Sequence, residues 1–327
     1  MQVIIANVNV NGIRAAERKG FGQWLAQAQP DVLLMQEVRA PESVAREIVG
    51  SDYCTWIHPS VIAGRAGVAV AVKAGIQVEQ VRSGLSVGQD GWLEELPDGG
   101  ASDGDSSGEG APSSLDAAQS VLAEPETVQT PLYMRVAQEE VPVDSGRWLE
   151  VDLPDALGQG HGVTLISAYL HSGVASSAEK MSAKYTHLQR VSERLKELSQ
   201  PHQRPLEHVL MAGDFNIVHT QEDITNWKGN HNKTAGVLDD EIAYLDRWFG
   251  ELGFVDVQRA LTGDAQVAYT WWSNRGKAFD NNVGWRIDYQ IVDPALAQLA
   301  RTQRVDRAQS YEQRWSDHAP LVVTYGL

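Results

Sequence analysis

The chain has 327 residues, 43% of them hydrophobic, which supplies a full core for one large domain or two small ones. Its formal charge of −16, from 43 Asp and Glu against 27 Lys and Arg, argues at first against a protein that grips nucleic acid through a basic face. The single cysteine, Cys54, excludes an internal disulfide framework and argues against a structural zinc cluster.

The charge is unevenly spread. Between Gly88 and Gly146 stand 13 of the acids and one base, Arg135, which leaves 30 acids and 26 bases elsewhere, a balance of −4. That remainder is free to meet a phosphate backbone. The N-terminus lacks a basic segment followed by an apolar one, and no apolar run approaches the roughly 20 residues that cross a bilayer. A cytoplasmic protein with no membrane partner is expected.

In chain order, Val3 to Val10 reads as a strand closed by Asn9-Val10-Asn11-Gly12. Phe21, Trp24, Leu25 and Ala28 then follow helical spacing, and Pro30 ends that helix. Val32 to Met35 is a buried strand with the polar exit Gln36-Glu37, and Gly67 to Lys73 is a third strand.

Gly88 to Gly146 is read as a largely disordered acidic insertion in a hairpin connection, because Asp98 to Gly108 has no periodicity and too little apolar surface to offset its ordering entropy. Within it, a short helix at Leu115 to Glu124 and a strand at Leu132 to Val136 are expected. Strand character resumes at Arg147 to Val151, and Val163 to Tyr169 is another strand with a polar exit. Met181, Tyr185, Leu188, Leu195 and Leu198 mark a long amphipathic helix stopped by Pro201.

Val209 to Ala212 is a short apolar run that ends in Gly213-Asp214-Phe215-Asn216. A polar loop follows from Asp223 to Gly236. Asp240 is expected to cap the next helix, whose apolar face is Ile242, Leu245, Trp248, Phe249 and Leu252, with Gly253 closing it. Strands at Ile287 to Val292 and Leu321 to Tyr325 complete the chain. Strands outnumber helices and the two are interspersed, so two packed mixed sheets flanked by helices are expected.

Several strands end in groups that bind metals or move protons: Asn9, Asn11, Glu37, Tyr169, Asp214, Asn216, Asp288, Asp317 and His318. Aligned on one edge, they form an oxygen-rich site with one imidazole and one phenol. Hard oxygen donors select Mg²⁺, with Mn²⁺ as a substitute, over zinc. A divalent ion beside Asp and His suits attack of water on a phosphodiester.

The strings Asn9-Val10-Asn11-Gly12-Ile13-Arg14-Ala15, Gln36-Glu37, Gly213-Asp214-Phe215-Asn216, Gly284-Trp285-Arg286-Ile287-Asp288-Tyr289 and Ser316-Asp317-His318-Ala319-Pro320 resemble the motifs of exonuclease III type apurinic/apyrimidinic endonucleases, within the endonuclease/exonuclease/phosphatase superfamily. The resemblance implies an α/β fold, a four-layer α/β/β/α sandwich, with residues 1–327 as one catalytic domain interrupted by the acidic stretch 88–146. It implies a DNA-repair nuclease that cleaves 5' to abasic sites and removes nucleotides 3'-to-5' from duplex DNA. A monomer acting on double-stranded DNA is expected.

Residue by residue, the resemblance makes Glu37 a metal ligand, with Asn9, Asp214, Asn216 and Asp317 in or next to its shell. Asp214 would activate water, Asn216 would bond the pentavalent phosphate, and His318, oriented by Asp288, would stabilise charge or relay a proton. Tyr169 would contact the scissile phosphate. Asn11, Arg14, Asn226, Asn230, Trp271, Trp285, Arg286 and Ile287 would contact DNA or the abasic site, the last being narrow and apolar because the flipped sugar carries no base. Arg18, Lys19, Arg65, Lys184 and Lys228 are further candidates for phosphate.

The chain departs from the family pattern at Ala66, His171 and Ser172 and by an extra residue in the loop Asn230 to Thr234. Two other functions fit less of the sequence: a superfamily phosphatase acting on a non-nucleic-acid phosphoester, which shares the metal site but not the Trp285 pocket, and a non-enzymatic duplex-binding module.

Overall fold

Alternation with period two decides which way the strands face. On Gln2–Asn9, Val3 and Ile5 point one way while Ala6 and Val8 point the other, and all four are buried. Val32 and Leu34 enter the same apolar layer as Val3 and Ile5, and Leu210 and Ala212 enter it from a strand of the facing sheet. Strands apolar on both faces belong in the middle of a layered structure.

The computed structural model describes residues 2–85, 133–136, 139–158, 160–263 and 265–326. One six-stranded sheet runs Ala300–Val305, Leu321–Gly326, Gln2–Asn9, Val32–Gln36, Val68–Lys73, Tyr53–His58. The other runs Val255–Asp256, Asp288–Val292, His208–Asp214, Val163–Tyr169, Trp148–Leu153, Gln80–Ser83. Both are mixed: Gln2–Asn9 lies parallel to Val32–Gln36, and Val163–Tyr169 parallel to His208–Asp214, among antiparallel neighbours.

Their inner faces form one apolar layer that includes Val3, Leu34, Val70, Val151, Leu165 and Leu210. Helices Ile13–Glu17, Phe21–Ala28 and Glu42–Val49 cover the first sheet through Ile13, Phe21, Leu25, Ala45 and Val49. Helix Ala178–Leu198 and the helix from Asp239 cover the second through Leu188, Val191, Leu195, Leu245 and Trp248. The expected α/β/β/α sandwich is therefore the fold.

Particular boundaries moved. The helix expected to be capped by Asp240 starts at Asp239, with Leu238 at its N-cap and the Glu241 carboxylate accepting from the backbone of Gly236 and Leu238. It runs as Asp239–Asp246 and continues as a π turn, Arg247–Glu251, before Gly253. The strand pair Tyr133–Val136 and Glu139–Pro142 is antiparallel. Val141, Val143, Asp144 and Ser145 are buried, and Asp144 accepts from Leu85 N and Arg190, so the end of the stretch read as insertion is packed structure. The helix expected at Leu115 to Glu124 lies outside the described residues.

Toward one end of the sandwich the inner layer turns polar. Gln36 Nε2 donates to Ser167 Oγ across the two sheets (3.1 Å), and Gln290 Nε2 donates to Ile5 O (3.0 Å) and Asn7 Oδ1 (3.1 Å). These bonds fix the two sheets in register where catalytic groups would project.

Candidate active site

Strand register brings the polar exits together. Asp214 lies opposite Tyr169 in the parallel ladder and opposite Asp288 in the antiparallel one. Gly213 precedes it at φ +147, and a Cβ there would stand 1.9 Å from Ala168 O, so only glycine lets the strands close at this point. Asn11, Glu37 and Asn216 all take left-handed backbone (φ 47, 52 and 52), a conformation that non-glycine residues adopt seldom and often at functional sites.

Asn9 ties the sheets at this edge. Its Nδ2 donates to Glu37 Oε1 (3.0 Å) and to Asp214 Oδ2 (2.9 Å), while its Oδ1 accepts from Asn11 N (2.9 Å). The backbone donor at Asn11 sets which way the amide points. Asn9 therefore holds the two carboxylates with its nitrogen, which places it next to the expected metal shell.

His318 is fixed from both sides. Its backbone N donates to Ser316 Oγ (3.2 Å), Ser316 Oγ donates to Asn9 O (2.6 Å), and His318 Nδ1 bonds Asp288 Oδ2 (2.8 Å). Its Nε2 then faces Asp214 Oδ2 at 3.7 Å. Asp288 is itself held by its backbone N, which shares Thr270 Oγ1 with that of Ile287 (3.1 Å each).

The electrostatics follow from crowding carboxylates where water is scarce. Burial opposes protonation of His318, but the carboxylates of Asp288 and Asp214 prevail and lift its pKa to about 10. Burial raises Asp214 to about 7; His318 opposes that rise, while Asp288 and Glu37 add to it. Burial pushes the Tyr169 phenol well above its ordinary value, helped by the Glu37 charge. For Asp317, burial is outweighed by His318 and by bonds from Asn11 and Trp271, which hold the carboxyl below its usual range.

The donor set suits a divalent cation. Asp214 and Asp288 each present a carboxylate oxygen within 4.8 Å of the other and of His318, which as a cation is a neighbour and not a ligand, and Asp288 Oδ1 is buried with no hydrogen-bond partner among the described residues. Beside them, Glu37 already attracts a cationic group, the Arg39 guanidinium, and takes the Tyr169 hydroxyl proton bond. An excess of hard oxygens and an unpaired buried carboxylate oxygen are what a hard cation would relieve.

Glu37, Tyr169, Asp214 and His318 floor a cavity of about 710 Å³ walled by Trp271, Trp285 and Ile287. Trp271 and Trp285 meet edge to face, with ring centres 5.5 Å apart. Arg39, Lys233 and Thr234 also line it, and sequence reading missed all three; the left-handed backbone at Arg39 carries no local sequence signal. Arg147, likewise missed, lies over the Tyr169 ring at 4.6 Å and donates to Tyr169 O.

Two expected phosphate contacts are corrected, Arg286 and Lys184. Arg286 is fully buried, with Nε 2.7 Å from Asp223 Oδ1 and Nη1 2.7 Å from Asp256 Oδ2, so its charge is spent inside the protein and does not reach a phosphate. Lys184 is buried against Glu241 (2.6 Å) and donates to Asn216 O (3.0 Å), which makes it a support beneath the site. Both oxygens of Asp317 are engaged, by Asn11 Nδ2 (2.8 Å) and Trp271 Nε1 (3.2 Å). Asn216 lines the cavity with its Nδ2 on Leu170 O (2.9 Å). Arg14 is exposed, and Asn226 and Asn230 lie outside the cavity lining, bonded to one another where Asn226 caps helix Trp227–Asn230.

Comparisons with known proteins give the family and the fold. The chain is 42% identical over 113 residues to an exodeoxyribonuclease of Bacillus subtilis, a match covering 35% of the chain and 42% of that protein, so it spans less than half of that relative's length. It is 24% identical over 323 residues to the DNA repair nuclease APEX1 of Danio rerio, covering 98% of the chain and 81% of the relative. An AP endonuclease from Archaeoglobus fulgidus has the same fold, with TM-score 0.68, 22% identity and coverage of 99% of this chain and 100% of that one. A family model described as Endonuclease/Exonuclease/phosphatase matches residues 6–318, and the chain belongs to that family.

Proposed function

We propose that the protein is a DNA-repair nuclease that hydrolyses the phosphodiester 5' to an abasic site in duplex DNA and removes nucleotides 3'-to-5' from duplex ends, acting as a monomer. The observation that carries this reading is the convergence of Glu37, Asp214 and the Asp288–His318 pair beneath a pocket walled by Trp271, Trp285 and Ile287. A phosphatase for small soluble esters has no use for such an apolar wall. A flipped sugar lacking its base does.

Mg²⁺, with Mn²⁺ as substitute, would be held by Glu37, kept in place by Asn9, with Asp214 adjacent. When bound, the ion supplies charge neutralisation at the phosphoryl oxygens. Asp214, raised toward neutrality by burial, orients water and takes its proton. His318, cationic and locked by Asp288, stabilises the phosphoryl charge that develops on attack. Asn216 donates to the phosphate, and Tyr169, released from Glu37, assists at the leaving oxygen.

The test is incision of an abasic duplex by Asp214→Asn. Loss of about 10²- to 10⁴-fold with an unchanged fold is expected; undiminished turnover overturns the assignment. Hydrolysis of phosphoinositides without abasic incision would move the protein to the phosphatase branch of the family.

A further inference from the structure

The strands that deliver Tyr169 and Asp214 to the active site begin at a second cluster. Val163–Tyr169 and His208–Asp214 are parallel, with His208 opposite Val163 and Asp214 opposite Tyr169. Six residues of rise at about 3.3 Å each separate the two ends by about 20 Å. At the far end, His161, Glu207 and His208 each present a ligand atom within 4.8 Å of the others.

We infer that His161, Glu207 and His208 form a transition-metal site of the zinc class that ties together the entry ends of these two central strands. Three observations support it. The donors are two imidazoles and one carboxylate, a set that holds zinc with water in the fourth tetrahedral position. The chain's lone cysteine, Cys54, is not needed.

The spacing is right. Ligands about 2.0 to 2.1 Å from a tetrahedral ion stand about 3.3 Å apart. His161 Nδ1 lies 2.6 Å from Glu207 Oε2, and His208 Nε2 lies 3.8 Å from Glu207 Oε1, values that bracket that separation. Little movement of two side chains closes the set.

The imidazole of His208 is also oriented from behind. It is buried, and its Nδ1 faces the Asp293 carboxylate at 3.3 Å, leaving Nε2 toward Glu207. A carboxylate on the far nitrogen is the usual way a metal-binding histidine has its tautomer and ring plane set. Asp293 is itself immobilised: it accepts from Val209 N (2.9 Å) and caps helix Pro294–Leu299 through Ala295 N and Leu296 N. Arg204 is the cation nearby, and it is matched by Asp293 (3.5 Å) and by Glu207 O (2.8 Å).

The site would act as a staple. Gly162 O already accepts from His208 N (3.0 Å), so an ion held by His161 on one side of that bond and by Glu207 and His208 on the other would fix the two strands where the ladder begins. Its effect is on stability and not on chemistry, since Asp214 is a full strand length away.

Zn²⁺ titration of the full chain, stripped with EDTA and held in excess Mg²⁺ so that the oxygen-rich active site is occupied, tests the proposal. His161→Ala and Glu207→Gln are the variants, because both side chains are partly exposed and neither packs the core. One equivalent of Zn²⁺ is expected to bind wild type and raise its Tm, with affinity reduced about tenfold or more in each variant. Co²⁺ should give the visible absorption of a tetrahedral centre in wild type only. Absence of stoichiometric Zn²⁺ binding, or binding that survives both variants but is lost in Glu37→Gln, overturns it.

Discussion

Asn9 Nδ2 stands 2.9 Å from Asp214 Oδ2, and that one bond joins the exit of a strand in the first sheet to the exit of a strand in the second. The same nitrogen reaches Glu37, so a single amide sets the separation of two carboxylates that come from distant parts of the chain.

Asn9→Ala is expected to lower abasic incision by about 10- to 100-fold, as loss of an orienting partner does at metal sites. It should also lower stability by about 1 to 3 kcal/mol, because the buried Asp214 carboxylate loses a donor. Incision kinetics with saturating Mg²⁺ and urea unfolding measure the two effects separately.

Asp214 makes a pH-dependent contribution with a definite sign. Its pKa in the folded protein, about 7, lies above the ordinary value of 3.8, so the folded state binds this proton more tightly than the unfolded chain. The stability it contributes is present below about pH 4 and is lost as pH rises through 7. In EDTA, Asp214→Asn should therefore be more stable than wild type at pH 8 and equal to it near pH 4, as thermal unfolding at the two pH values would show.

His187 and His171 work the other way. His187 is buried with neither ring nitrogen bonded among the described residues, its ring edge on to His171 at 5.3 Å, and burial depresses both pKa values well below 6.5. Both rings stay neutral in the fold while the unfolded chain takes up protons, so stability is full above pH 6.5 and falls as pH drops below it. His187→Leu should flatten that decline in a series of urea melts from pH 7 to 5.

Arg286→Met separates structure from substrate contact. Removing the guanidinium leaves Asp223 and Asp256 as buried carboxylates without it, at a cost of about 3 to 5 kcal/mol. The expected result is a lower Tm in the absence of DNA. A normal Tm with weakened DNA binding would restore Arg286 to the substrate surface.

Trp285→Ala should weaken binding to an abasic duplex by about 1 to 2 kcal/mol, the cost of truncating a buried aromatic anchor. Affinity for an intact duplex should change less, because it is carried by phosphate contacts. Fluorescence anisotropy on matched duplexes with and without the abasic site gives the difference directly.

The strands were legible in the sequence where both faces are buried. Val163–Tyr169 appears as expected, and Val32–Gln36 and His208–Asp214 differ from expectation only at their ends, since unbroken apolar runs have few other places to go. Tyr53–His58, Gln80–Ser83 and Ala300–Val305 were not legible. Each lies at a sheet edge with part of its surface exposed, and no apolar periodicity is required of it.

The sequence by itself determined which residue types stand at the strand ends, Glu37, Asp214, Asp288 and His318 among them, because an apolar run and its polar boundary are set locally. Only the tertiary structure decided their partners: that Asn9 gives its nitrogen and not its oxygen to the carboxylates, that Arg286 turns inward to Asp223 and Asp256, and that Arg39 and Arg147 join the site. A charged side chain reads the same in a sequence whether it faces solvent or a buried partner, and that partner is supplied by residues far along the chain.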